Sequence, residues 1–104
     1  MNRRWARVGS GCLTALVACG APDPTPTLRF WAFGREGEVV QELVRGFERE
    51  HPGVRVRVQQ IPWSAAHEKL LTAIVGRATP DVAQLGNTWI PEMVTLDALA
   101  PVAT

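Results

Sequence analysis

Three short segments of the sequence, 31–36, 61–64 and 86–89, each combine a tryptophan with polar side chains. An indole ring can stack on the flat C–H face of a sugar, while guanidinium, amide and carboxylate groups bond the hydroxyls at its rim. This combination is typical of a small-molecule cleft. The candidate ligand-binding residues are Trp31, Arg35, Glu36, Trp63, Asn87 and Trp89.

Each candidate also has a purely structural interpretation. Trp31 falls within a predicted strand and could belong to the core, whereas Trp63 and Trp89 could pack around helix ends. Asn87 is a common turn former or cap. The pair Arg35–Glu36 could be a solvated helix start. The sequence leaves both interpretations open for these residues.

Motifs for catalysis are missing from the sequence. It has no Gly-x-Ser-x-Gly elbow, and segment 34–37 lacks the spacing of a phosphate loop. His67 and Glu68 are not followed by the second histidine of a zinc motif. We therefore expect a protein that is not an enzyme and holds no metal or cofactor. A secreted hydrolase using Glu36, His67 or Asp81 is the alternative.

The amino-terminal segment indicates export. Residues 1–7 contain three arginines and no acid, and residues 8–18 are uncharged and mildly apolar. That run is too short for a membrane span, which needs about 20 residues, but suits the apolar part of a signal peptide. The stretch LVAC at 16–19 resembles a lipobox. We therefore predict a lipoprotein signal peptide at residues 1–18 and lipidation at Cys19.

Residues 19–27 contain three prolines and are predicted to be an extended tether. Two or more acyl chains on Cys19 would hold the protein stably on a membrane, facing the periplasm or the cell exterior. The chain carries 11 Lys+Arg and 10 Asp+Glu, so loss of the three arginines in residues 1–7 leaves a net charge near −2. No basic stripe suggests a nucleic-acid partner.

The rest of the chain alternates strand and helix patterns. We predict a strand at 28–33 and an amphipathic helix at 36–50. The strictly alternating segment 54–59 predicts a half-exposed strand at a sheet edge. The predicted buried stripe of the first helix is Val39, Val40, Leu43, Val44 and Phe47, and its outward residues are Glu42, Arg45, Glu48 and Arg49.

A second helix is predicted to be capped by Ser64, followed by a third, more buried strand at 81–85 and a helix with Pro91 in its first turn. The predicted buried stripe of the second helix is Ala66, Leu70, Leu71, Ile74 and Val75. The order βαβαβα defines an α/β fold with a mostly parallel sheet. Ligands of such sheets bind beyond the carboxyl ends of the strands, where the three tryptophan-bearing segments occur.

Several motifs together resemble one known family. They are the lipobox, LRFWAFG at 28–34, FEREHPGV at 47–54 and TPDV at 79–82. These stretches are similar to those of the extracellular solute-binding proteins of ABC importers, with the sugar-binding branch, including maltose- and trehalose-binding proteins, most similar. The resemblance implies a periplasmic-binding-protein-like fold with two lobes that close on a ligand. Residues 28–104 would be an incomplete N-terminal lobe, and the chain an N-terminal fragment.

The resemblance also implies a function and partners. The chain would belong to a monomeric, lipid-anchored and non-catalytic substrate-binding component, which binds carbohydrate and docks on ABC permease subunits in the membrane. A different ligand within the same family, such as a polyamine, an oligopeptide or a metal chelate, remains an alternative because aromatic side chains also surround cations.

Overall fold

The computed structural model describes residues 20–21 and 25–103. The predicted signal peptide at 1–18 and the predicted lipidation site Cys19 lie outside the described residues. Within the predicted tether, Gly20 and Ala21 are exposed to solvent. None of the helices in the described part of the chain is long and apolar enough to cross a membrane.

A parallel sheet of three strands forms the centre of the described fold. Strand β1 is Thr27–Phe33, β2 is Arg55–Ile61 and β3 is Val82–Ala83. The strand order is β2-β1-β3, so β1 is central. Residues Thr27 to Phe33 pair in register with Arg55 to Ile61, and Phe30 and Trp31 pair with Val82 and Ala83.

Within residues 25–103, three helices connect and cover the strands. Helix α1 is Glu36–Glu50, α2 is Trp63–Val75 and α3 is Ile90–Thr95, and a 3-10 turn at Asn87–Trp89 leads directly into α3. Pro91 is the second residue of α3, where its missing N–H costs no helical hydrogen bond. The predicted α/β class, the βαβαβα order and the parallel sheet are confirmed.

The two sheet faces are packed differently. Successive side chains of a strand point to opposite faces. Trp31 and Phe33 of β1 share a face with Ile61 of β2, and this face packs against α2 and Met93 of α3. Phe33 is fully buried and Met93 nearly so. The buried residues of α2 on this face are Ala66, Leu70 and Ala73.

Two predictions about α2 are wrong. Val75 is 87% exposed, whereas Ala73, which was not predicted, is buried. Positions 66, 70 and 73 follow the i, i+4, i+7 spacing of one helical face, and the last residue of the helix lies off that face. Ser64 is not the cap, because Trp63 is already helical and Pro62, with an extended backbone, occupies the capping position without a side-chain hydrogen bond.

The third strand is shorter and more exposed than predicted. Only Val82 and Ala83 of segment 81–85 form the strand, and Val82 is 48% exposed. Strand β3 pairs with β1 on one side, and no other strand of the described residues pairs with it. The prediction of a more buried strand is therefore wrong for this part of the chain.

Helix α1 covers the other face of β1 and β2 only in part. Val39, Leu43 and Phe47 remain exposed, although their spacing predicted burial. Glu48 was predicted to point into solvent, but its carboxylate is partly buried and accepts a hydrogen bond from the Val56 N–H at 2.8 Å. This contact joins the end of α1 to the start of β2.

Candidate functional site

Phe33, Trp63 and Trp89 form an aromatic cluster at the carboxyl end of the sheet. Phe33 ends β1, Trp63 begins α2 after β2, and Trp89 lies in the 3-10 turn after β3. The Phe33 ring centroid is 5.3 Å from that of Trp63 and 6.1 Å from that of Trp89, and the two indoles are 5.9 Å apart. These distances and the tilted or edge-on geometries are those that aromatic pairs prefer.

Gly34 makes room for the Trp63 indole. Its φ of +54° is in the left-handed region, which glycine enters without steric penalty. A Cβ at this position would lie 2.5 Å from Cδ1 and 2.8 Å from Nε1 of Trp63. The turn is fixed by a bond from the Gly34 N–H to the Ile61 carbonyl at 2.8 Å and one from Gln60 Nε2 to the Gly34 carbonyl at 2.7 Å.

Glu36, the first residue of α1, orients the same indole through a hydrogen bond. Trp63 Nε1–H donates to Glu36 Oε2 at 3.4 Å, and the Trp63 residue is 42% exposed. One part of the ring is therefore fixed while another part faces solvent. Arg35 precedes α1, is exposed, and lines a shallow groove together with Glu36, Val39 and Val40.

Trp89 is held between a glycine and a histidine. A Cβ on Gly86 would lie 3.1 Å from Cδ2 and Cε2 of the indole, and the Trp89 N–H donates to the Gly86 carbonyl at 2.9 Å. The His67 ring centroid is 4.9 Å from that of Trp89, and Nε2 of His67 is hydrogen-bonded to the carboxylate of Glu92. Asn87, which begins the 3-10 turn, is exposed.

Trp31 lies apart from the aromatic cluster. It is only 9% exposed, belongs to the core beneath α2, and has Nζ of Lys69 5.1 Å from its ring centroid. Trp31 therefore packs as a core residue, which is the structural interpretation that its place in a strand allowed. Of the six candidates, the structure gathers Trp63, Trp89 and Glu36 by direct contacts. Arg35 and Asn87 lie in the adjoining loops.

Several residues that support the cluster were not predicted from the sequence. Phe33 is the buried base on which both indoles rest. The Gln84 side-chain oxygen accepts a hydrogen bond from the Phe33 N–H at 2.8 Å, and Gln60 bonds the Gly34 carbonyl. Gln60 is the second-last residue of β2 and Gln84 directly follows β3, and this position at the strand ends was the available signal. The contact of His67 with Glu92 had no such signal.

The candidates for a hydrolase do not converge on one site. Asp81 accepts a hydrogen bond from the Arg29 N–H at 2.7 Å, near the start of β1, whereas Glu36 follows the end of that strand. His67 is paired with Glu92 beside Trp89. Among the described residues, no three His, Cys, Asp or Glu side chains are grouped as metal ligands would be. The geometry offers stacking surfaces and hydrogen-bonding groups.

Comparisons with known proteins give a consistent result. Residues 33–104 match the family model described as bacterial extracellular solute-binding protein. The chain is 38% identical to an uncharacterized lipoprotein encoded in the 5′ region of oleD in Streptomyces antibioticus, over 67% of this chain and 17% of that protein.

Solved structures with similar folds include two bacterial binding proteins. The sugar-binding protein MalE of Xanthomonas citri superposes with a TM-score of 0.70 and is 60% identical, over 72% of this chain and 19% of that one. The GacH receptor of Streptomyces glaucescens, solved unliganded and in complex with acarbose, gives a TM-score of 0.67 and 33% identity, over 76% of this chain and 21% of that one. The chain thus spans about a fifth of the length of these structures.

Proposed function

Because this chain belongs to the bacterial extracellular solute-binding proteins, we propose that it forms one wall of a carbohydrate-binding cleft. The observation that carries this proposal is the aromatic cluster at the carboxyl end of the parallel sheet, with the Trp63 indole 42% exposed and hydrogen-bonded to Glu36. Ligands of open α/β sheets bind at this end. The sugar-binding MalE and the acarbose-binding GacH receptor support carbohydrate as the ligand class.

In the proposed complex, a sugar ring stacks on the exposed part of Trp63. Trp89 extends the aromatic surface, since its ring centroid is 5.9 Å from that of Trp63. Polar groups of Arg35, Glu36 and Asn87 bond hydroxyls at the rim of the ring. Glu36 already contacts the aromatic surface through its hydrogen bond from Trp63, and Arg35 and Asn87 lie in the segments that follow β1 and β3.

The proposal extends to the longer protein in which such a chain works. We infer that residues 28–104 are the first part of an N-terminal lobe and that the opposite wall of the cleft comes from further sequence. The fraction of MalE that the chain spans, 19%, supports this inference. In the proposed cycle the protein is a monomer without catalytic activity that delivers its sugar to the permease subunits of an ABC importer.

We also propose that the protein is attached to a membrane through lipidated Cys19, with residues 1–18 removed as a signal peptide. The lipobox at 16–19 and the similarity to a Streptomyces lipoprotein support this. Nine residues from Cys19 to Thr27 reach at most about 30 Å when extended, so the domain would stay close to the membrane surface. Replacing Cys19 with serine should move the protein from the membrane fraction to the soluble fraction.

Calorimetric titration of the full-length gene product tests the ligand class. The panel contains maltose, trehalose, acarbose, raffinose and digalacturonate, with putrescine and a tetrapeptide for the alternative ligands. We expect at least one saccharide to bind, and the Trp63→Ala variant to bind it at least about tenfold more weakly, or about 1.4 kcal/mol. Val75→Ala, at the exposed far end of α2, is the matched control. Heat from putrescine or the peptide alone would contradict carbohydrate binding.

A further inference from the structure

Two residues beside the aromatic cluster have no role in the proposed stacking of sugar. His67 lies four residues after Trp63 on α2, and Glu92 lies three residues after Trp89. Side chains three or four apart share one face of a helix. Here the two faces meet, because His67 contacts Trp89 through its ring and Glu92 through Nε2.

Four residues of the described chain lie close to the Trp89 indole: Gly86, Phe33, Trp63 and His67. Gly86 lies against the fused part of the ring, and Phe33 and Trp63 contact it at centroid distances of 6.1 and 5.9 Å. His67 is nearer than either aromatic, at 4.9 Å. Its ring is in turn held by the hydrogen bond to Glu92 on α3, the helix that directly follows the 3-10 turn of Trp89.

Helix α3 needs such a connection because it is short. It has six residues, and helices of this length have little stability of their own. The buried side chain of Met93 attaches it to the core, and the Glu92–His67 hydrogen bond attaches it to α2. Loss of that bond would free both the histidine and the start of α3 next to Trp89.

We propose that the hydrogen-bonded pair His67–Glu92 fixes the Trp89 indole in the orientation in which it stacks on the ligand. Both are positioning residues and make no contact with the ligand themselves. This inference rests on the proposed function of the cleft. A side chain that is already fixed loses less conformational entropy on binding, so the pair raises affinity without adding a contact to the ligand.

The size of the effect follows from the rotamers available to Trp89. If the pair is removed and three staggered χ1 wells become similarly populated, the binding-competent fraction falls to about one third, and the dissociation constant rises about threefold. Further loosening of the 3-10 turn would increase this factor. The expected range is therefore about three- to tenfold.

The experiment uses the full-length gene product and the saccharide that it binds most tightly. His67→Ala and Glu92→Ala should each weaken binding about three- to tenfold. His67→Gln, which keeps a side-chain N–H for the Glu92 carboxylate, should bind close to the wild type. Glu68→Ala, at the exposed neighbouring position on α2, is the matched control and should leave affinity unchanged.

A second measurement reports on Trp89 without any ligand. The protein is labelled with 5-fluorotryptophan, and the Trp89 resonance is assigned by its loss in Trp89→Phe. We expect one narrow signal in the wild type and in His67→Gln, and a shifted or broadened signal in His67→Ala and Glu92→Ala. If His67 had only a structural role, all His67 variants would be less stable, and His67→Gln would not restore the narrow Trp89 signal.

The outcomes separate the inference from the proposed function. If no saccharide binds to the wild type, carbohydrate binding is refuted, and the fluorine spectrum alone decides whether the pair fixes Trp89. If a saccharide binds but His67→Ala and Glu92→Ala retain wild-type affinity and an unchanged Trp89 signal, the positioning role is refuted while the function stands. Failure of His67→Gln to restore affinity would also overturn it.

Discussion

Replacing Gly34 with alanine should disrupt the aromatic cluster by displacing the Trp63 indole. Two costs are expected. The left-handed backbone, at φ +54°, is unfavourable by about 1–2 kcal/mol for a residue with a Cβ. The new Cβ would also lie 2.5 Å from Cδ1 of Trp63, and forcing an extra methyl into a packed site costs about 1–3 kcal/mol.

A smaller effect acts in the opposite direction. Alanine restricts the unfolded chain more than glycine does, which stabilises the protein by about 0.4–1 kcal/mol. The net expectation for Gly34→Ala is a loss of about 1–5 kcal/mol in the free energy of unfolding. Since Trp63 must move away, its hydrogen bond to Glu36 should break and saccharide binding should weaken.

Urea unfolding of four proteins tests this calculation: the wild type, Gly34→Ala, Trp63→Ala and the double variant. In the Trp63→Ala background the close contact is gone and only backbone strain remains, so the cost of Gly34→Ala should fall to about 1 kcal/mol. Gly53→Ala is the control, because nothing lies within 4 Å of a Cβ there, and its effect should stay within about 1 kcal/mol. An equal cost of Gly34→Ala with and without the indole would refute the role assigned to the contact.

Substitutions at Phe33 and Asp81 separate core packing from a surface hydrogen bond. Phe33→Ala should lower the free energy of unfolding by about 3–5 kcal/mol because the side chain is fully buried, whereas Val75→Ala on the exposed end of α2 should change it by less than about 0.5 kcal/mol; similar urea midpoints would contradict this. Asp81→Ala should cost about 1 kcal/mol by removing the acceptor of the Arg29 N–H, and Asp81→Asn should restore part of that loss. Equal midpoints for the two Asp81 variants would show that the hydrogen bond contributes nothing.

The long amphipathic helix could be predicted closely from the sequence. Helix α1 spans Glu36–Glu50, the predicted range, and β1 begins one residue before its predicted start. Both signals are local, since they depend on the spacing of apolar residues and on glycine or proline at the ends. Burial is not local. The exposed side chains of Val39, Leu43 and Phe47 on α1 show that periodicity identifies an apolar face without revealing what covers it.

The short elements were harder to predict for the same reason. Strand β3 extends over two residues because it pairs with β1 along only that length. The segment from Val82 to Leu85 is apolar apart from Gln84. This pattern does not reveal whether another strand pairs with the edge of β3 that faces away from β1. Helix α2 begins at Trp63, one residue before the expected cap, Ser64. Its first residue, Trp63, packs against Phe33, and no local pattern in the sequence records that contact.

The location of the site could be predicted from the sequence, but most of the contacts within it could not. Parallel strands end at one edge, so the loops after β1, β2 and β3 were expected to meet, and Trp63 and Trp89 do lie together there. The contact between His67 and Glu92 joins residues 25 positions apart on two helices. Such a contact depends on how α2 and α3 cross, and no spacing in the sequence records it.

Position along the strand, more than residue type, separates the two aromatic side chains on one face of β1. Trp31 and Phe33 are two residues apart, or about 7 Å along the strand. Trp31 lies beneath the middle of α2, next to Lys69, and is nearly closed off from solvent. Phe33 ends the strand, belongs to the same core face, and is also covered by Trp63 and Trp89. A change at Phe33 should therefore reach the proposed ligand site through two indoles, whereas a change at Trp31 should act first on the core beneath α2.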